Sequence, residues 1–140
     1  MEPPSRKTTH RVAAVAAVTS FIFQPIPAGD ELVVVPMHYY LAVRLSRQRR
    51  VPLVKVPWRA VQQIIWYGAA ARLVANFSLG LVPGVGMFSN AITAFALTEY
   101  LGRWMDAFLD DPESPPPEVS MATLKKLFAD ALAKRTARPA

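Results

Sequence analysis

Gln24-Pro25-Ile26-Pro27-Ala28-Gly29-Asp30-Glu31 opens a segment that runs on through apolar residues to Leu41, Leu45 and Arg47. Gly80-Leu81-Val82-Pro83-Gly84-Val85-Gly86-Met87, 56 positions later, opens another that runs on to Leu97, Leu101 and Arg103. At that offset Pro27 falls on Pro83, Leu41 on Leu97, Leu45 on Leu101 and Arg47 on Arg103. Each Pro/Gly turn stands between two long hydrophobic stretches. Proline removes a donor and biases the residue before it away from the helical region, so it ends a helix. The pattern is that of an all-α protein made of two tandem hydrophobic helical hairpins, four helices in all. Pro25, Pro27, Asp30, Pro83, Gly84 and Gly86 are the expected turn residues.

Working outward, residues 1–10 are polar with two prolines and read as a disordered tail. Residues 11–110 form the double-hairpin domain. The first helix, Arg11–Phe23, follows Arg6, Lys7, His10 and Arg11 and so imitates a signal peptide. No convincing cleavage site follows, and an uncleaved helix is the expectation. Asp30 suits the N-cap of the second helix, which extends to about Arg49 with Pro36 either kinking it or sitting in its first turn. The third and fourth helices span about Trp58–Leu81 and Met87–Leu109, the fourth capped by Ser89 or Asn90 if it begins late. Residues 111–117 read as a stiff acidic, proline-rich linker. A C-terminal amphipathic helix over 118–136 presents Leu124, Leu127, Phe128, Ala131 and Leu132 on one face.

The 140 residues carry 52% hydrophobic side chains and a net charge of +6, with a mean hydropathy of +0.21. With no cysteine and only His10 and His38, thiolate chemistry is excluded and no metal site is expected. The glycine-rich turn at 80–86 lacks the Lys-Ser/Thr of a phosphate loop, so nucleotide binding is not expected. His38, beside Tyr39 and Tyr40, reads as a packed or hydrogen-bonded histidine before a catalytic one. Asp106, Asp110 and Asp111 read as solvated acids. No cofactor and no catalytic residue follow from these patterns, and the expectation is a protein that is not an enzyme.

The basic excess is concentrated. Arg44, Arg47, Arg49, Arg50, Lys55 and Arg59 fall within sixteen residues between the hairpins. Beside hydrophobic hairpins, anionic lipid headgroups are a nearer partner than nucleic acid, which is not expected. Ala60–Val82 and Met87–Trp104 reach the roughly 20 apolar residues that a span requires, whereas the first hairpin is too short. The hairpin tips carry no cation, so the positive-inside rule puts both open ends on the cytoplasmic side. Gly80-x-x-x-Gly84 is a formal small-residue helix-contact motif, weak because it ends on a proline turn. Folding the second hairpin about Gly84 brings Arg72 and Glu99 within about a helical turn of one another. Two readings stay open: a buried or intramembrane ion pair, or two charges that reach an interface or solvent.

Pro25-Ile26-Pro27-Ala28-Gly29-Asp30, Leu81-Val82-Pro83-Gly84-Val85-Gly86 and Leu101-Gly102-Arg103, in that order, resemble the YcjF-like, GTPase-associated domain family of bacteria, over about residues 12–110. Arg47-Gln48-Arg49-Arg50 stands where that family often has Tyr-Gly and a polar loop. The resemblance implies a hydrophobic helical module at the cytoplasmic face of the bacterial inner membrane, without catalytic residues, beside a GTPase-type partner. The expectation is therefore a non-enzymatic membrane-associated protein that anchors or regulates such a partner, perched on lipid through its arginine-rich connector. The alternative is a soluble helical module for interaction or homo-oligomerisation.

Overall fold

A computed structural model describes residues 4–23, 29–79 and 85–136. Five α-helices carry these residues: α1 (Pro4–Phe23), α2 (Glu31–Gln48), α3 (Trp58–Leu79), α4 (Val85–Asp110) and α5 (Met121–Thr136). A single 3-10 turn, Leu53–Lys55, lies in the connector, and no strand occurs among the described residues. The chain is all-α.

Helix α4 is the axle. Each of the other four packs on it, in the order α1, α2, α3, α5 around its circumference. Neighbours in that order touch, whereas α1 and α5 make no such contact among the described residues, which leaves a seam between them. Helices α1 and α2 pack together, as do α3 and α4, but the most extensive contact joins α1 to α4. Those two run antiparallel, for Phe21 meets Phe88 edge-on at one end and Thr9 meets Gly102 towards the other. Helix α2 runs parallel to α4, with His38 bonded to Thr98 and Arg49 reaching Asp106 and Asp110.

The repeat in the sequence becomes a repeat in the core. Leu41, Leu45, Leu97 and Leu101 are all buried, joined by Val61, Ile64, Ile65, Met105, Leu124 and Phe128. Full burial of each such side chain contributes about 1.5–3 kcal/mol. The counterparts Arg47 and Arg103 both face solvent. Helix α1 is built the other way round. Its inner face is Ser5, Thr9, Ala13, Ala16 and Ser20, while Val15, Val18 and Ile22 point outward, each more than half exposed. Small residues inside let the α1 and α4 backbones approach closely. A Cβ on Gly102 would land within the Thr9 side chain, and one on Gly68 would strike Leu97.

Several expectations are corrected. Helix α1 begins at Pro4, so residues 4–10 are helical and not a loose tail. Proline suits the first helical position because its missing N–H lies among those without an intrahelical partner. The Thr8 hydroxyl donates back to the Pro4 carbonyl at 3.1 Å and accepts from the Gln48 amide at 2.9 Å. Pro36 lies beyond the first turn, inside α2, where it is exposed. Gly86 is not a turn residue but a buried member of α4. Pro25, Pro27, Pro83 and Gly84 lie outside the described residues.

Among the described residues no helix is both long and apolar enough to cross a membrane. This overturns the expected spanning hairpin, and with it the membrane-associated protein at the bacterial inner membrane. The reason lies in polar residues set among the apolar ones. Helix α3 contains Arg59, Gln62, Gln63 and Arg72, and α4 contains Ser89, Asn90, Thr93, Thr98 and Glu99.

The connectors are pinned. Helix α2 ends in a Schellman arrangement, with Arg50 N–H on the Arg47 carbonyl and Val51 N–H on that of Ser46. Arg50 takes the left-handed position at φ 56°. Trp58 donates from Nε1 to the Leu53 carbonyl at 3.0 Å, and Trp104 from Nε1 to that of Pro117 at 3.0 Å. Lys55 pairs with Glu113 at 2.7 Å. Helix α5 starts at Met121, three residues later than expected, because Ser120 caps it by accepting the Thr123 N–H at 3.1 Å. Leu124 and Phe128 then fasten α5 into the core.

Candidate functional site

Polar residues set among apolar ones must find partners inside, and here they find one another. Arg72 of α3 is 0% exposed. Its Nη1 donates to Glu31 Oε1 at 2.9 Å. Its Nη2 donates to Asp30 Oδ2 at 2.6 Å, to Asn90 Oδ1 at 2.7 Å and to Ser20 Oγ at 3.1 Å. The Asn90 amide donates in turn to Asp30 Oδ2 at 2.8 Å and to the Ser20 carbonyl at 3.1 Å. One guanidinium therefore ties α3 to α1, to α4 and to the start of α2. A planar group with several fixed donors suits this role, which a lysine ammonium could not fill.

The expected Arg72–Glu99 pair does not form. Arg72 is buried, as one of the two readings had it, but its acids are Asp30 and Glu31. Glu99 lies on the other side of α4, 3.0 Å from His10 Nδ1 and 4.0 Å from Arg103. The hairpin arithmetic considered only neighbours within one hairpin, whereas α2 is inserted beside α4. Asp30 accordingly gives up its expected cap. Its carbonyl accepts from Val33 and Val34 and starts α2, but its side chain makes no cap hydrogen bond. A charge-assisted bond to a buried guanidinium is stronger than a bond to a backbone N–H.

Burial raises the Glu31 carboxyl above its ordinary value, with Arg72 opposing and Asp30 reinforcing the rise. His38 sits one layer along. Thr98 Oγ1 donates to the Ala94 carbonyl at 2.8 Å. It therefore accepts from His38 Nε2 at 2.9 Å, which assigns the imidazole proton to Nε2. Burial first, and then the Arg72 charge, push this imidazole down to about 3. His38 Nδ1 and Arg72 Nε have no hydrogen-bond partner among the described residues. The cluster is thus a buried, hydrogen-bonded ion group with a neutral imidazole one layer along.

The arginine-rich connector separates into two groups. Arg49 is engaged by Asp110 at 2.7 Å and Asp106 at 3.3 Å, and Lys55 by Glu113. Arg44, Arg47, Arg50 and Arg59 are exposed. Asp106 and Asp110 are therefore braces for the end of α2, not merely solvated acids. Among the described residues, no three His, Asp or Glu side chains come together as a metal site.

Two surface features went unread in the sequence. One is a stripe on α3, where Trp66, Ala70, Leu73 and Val74 recur at helical spacing and face outward. Trp66 is 60% exposed. The other is the open seam between α1 and α5, where clefts of about 600 and about 480 Å³ adjoin at Phe95, Ala96 and Ala131. A sequence gives no direct sign of a seam, because it depends on which helices fail to meet.

Comparison with protein-family models, with curated proteins and with solved structures gives no match.

Proposed function

We propose that this chain is a helical interaction module that forms a homodimer through the outer face of α3. The observation behind the proposal is the stripe of Trp66, Ala70, Leu73 and Val74, an apolar helix face turned away from the bundle. Exposed aromatic anchors of this kind concentrate binding energy at interfaces. The stripe is also self-complementary. In a two-fold arrangement each residue meets its counterpart's partner across the axis. An antiparallel copy crossing near Ala70 brings the two small residues together and lays Trp66 of each chain over Val74 of the other. Gln62, Gln63 and Arg59 continue the same face and supply a polar rim.

Sedimentation equilibrium tests this. The wild-type chain sediments as a dimer that dissociates on dilution, and Trp66→Asp sediments as a monomer with unchanged helical circular dichroism. A wild-type chain that is monomeric at every concentration overturns the proposal.

The exposed Arg44, Arg47, Arg50 and Arg59 favour a second use of the module, docking of an acidic protein surface where α2 hands over to α3. A GTPase-type partner, as the resemblance implies, belongs to that class. Charge reversal at Arg44 and Arg47 should then abolish capture of the partner, and added salt should weaken capture steeply.

A further inference from the structure

Arg50 is held in a backbone conformation that disfavours any side chain. It takes the left-handed position after α2, at φ 56°, where the arrangement that ends the helix ordinarily uses glycine, because a Cβ there crowds the next carbonyl. Three hydrogen bonds fix the position. Arg49 N–H donates to the Leu45 carbonyl at 3.0 Å, Arg50 N–H to that of Arg47 at 3.2 Å and Val51 N–H to that of Ser46 at 2.9 Å. No interaction of the Arg50 side chain within the fold offsets this cost. Arg50 is exposed, and among the described residues no carboxylate lies within ion-pair distance of Arg44, Arg47 or Arg50. The adjacent cations differ, since Arg49 is held by Asp106 and Asp110 and Lys55 by Glu113. One turn back along α2, Arg44 and Arg47 line a shallow cleft of about 270 Å³ with Tyr40, Val43 and Gln48.

We infer that the end of α2 is a clamp for an acidic segment of a partner protein. Arg50, aimed by its fixed backbone, takes a carboxylate of that segment. The cleft beside Arg44 and Arg47 takes an apolar side chain next to it, against Tyr40 and Val43. This rests on the reading of these arginines as a docking surface for an acidic protein, and not on the α3 dimer. The chemistry is that of a guanidinium fork on a planar carboxylate, with two parallel N–H···O bonds. A backbone already fixed in the free chain reduces the ordering that binding would otherwise require. The surroundings favour a compact acidic segment over a long polyanion. Asp110 and Glu113 stand beside Arg49 and Lys55 at the edge of the patch, with side chains 63% and 79% exposed. A run of phosphates continuing past Arg50 would meet those two carboxylates.

Fluorescence anisotropy of the labelled peptide Asp-Glu-Glu-Leu-Glu-Glu-Asp, titrated with the full chain at low salt, tests the inference. Arg50→Gly should bind it about tenfold more weakly, the loss of one charge-assisted pair, while its urea midpoint rises. A role confined to the fold cannot produce a variant that is more stable and binds less. Arg50→Lys keeps the charge without the fork and should recover only part of the loss. Lys126→Gln removes one exposed charge on α5 and should leave affinity within about twofold, as a distant screened charge does. Serine in place of the peptide's leucine should weaken wild-type binding about fivefold, through the apolar area no longer covered.

If Arg44→Glu with Arg47→Glu abolishes binding while Arg50→Gly binds as the wild type does, the clamp is overturned and the docking surface stands. If the wild type does not bind the peptide, or binds it regardless of Arg44→Glu with Arg47→Glu, both are overturned. Full recovery in Arg50→Lys, or an equal loss in Lys126→Gln, reduces the effect to net charge and overturns the clamp. Tighter binding of a short DNA duplex than of the peptide at the same salt assigns the patch to nucleic acid and overturns it too.

Discussion

Replacing Arg72 by methionine isolates the energetics of the buried cluster. Methionine keeps much of the length and none of the charge. The substitution leaves Asp30, with a side chain 8% exposed, as a buried carboxylate whose remaining side-chain donor is the Asn90 amide at 2.8 Å. Removing one partner of a buried ion pair costs about 3–5 kcal/mol, because the other charge is left without compensation. Asp30→Asn should be milder, about 1–2 kcal/mol, since Arg72 keeps Glu31 at 2.9 Å. The double variant has neither charge, and its loss should fall about 2 kcal/mol short of the sum of the singles. Domains of this size are stable by about 5–15 kcal/mol, so Arg72→Met removes a large part of that margin. Urea unfolding at neutral pH, followed by far-ultraviolet circular dichroism and intrinsic fluorescence, measures all three. A loss below about 1 kcal/mol for Arg72→Met, or strict additivity in the double variant, would show that the cluster does not act as described.

His38 gives the fold a dependence on acid. Its imidazole titrates at about 3 in the fold against 6.5 when exposed, so below pH 6.5 the unfolded chain takes up a proton that the fold refuses. Stability is then full above pH 6.5 and falls by up to about 1.4 kcal/mol per unit as the pH drops towards 3. Glu31 opposes this near its own range, because a raised carboxyl stabilises the fold below pH 4.5 and less above. Urea midpoints against pH should show the fall in the wild type and a flatter profile in His38→Gln. Gly102→Ala should destabilise by about 1–2 kcal/mol despite its better helix propensity, as the new Cβ meets Thr9. Thr9→Ser, by removing the methyl that is struck first, should return part of that loss in thermal unfolding. Arg50→Gly should stabilise by about 1 kcal/mol, because φ 56° strains any residue with a Cβ.

Helix type and the leucine core could be read from the sequence because both depend on local spacing. Leu41, Leu45, Leu97 and Leu101 follow helical periodicity, and all four are buried. The partner of Arg72 could not be read so, since it depends on α2 lying beside α4 rather than on any feature of the second hairpin. A usable sign was present nonetheless. Arg72 is the one charged residue of α3 after Arg59, set in the largely apolar stretch 64–75, and a charge so placed must be bonded to something inside. The start of α1 was missed because polar composition outweighed Pro4, a good first residue for a helix. The membrane reading failed because length was counted and the polar residues along α3 and α4 were not weighed against it.

The inverted build of α1 has a consequence for the order in which the molecule forms. Its small inner face packs most extensively against α4, and Thr9 and Gly102 are 93 positions apart. At synthesis rates of about 5–20 residues per second, α1 waits about 5–20 s before that part of α4 exists. During this interval the face that will later be covered offers alanines and hydroxyls with little to gain from collapse, while Val15, Val18 and Ile22 stay exposed before and after it docks. Closure of α1 on α4 thus rests on contacts of long sequence separation, which are slow to form.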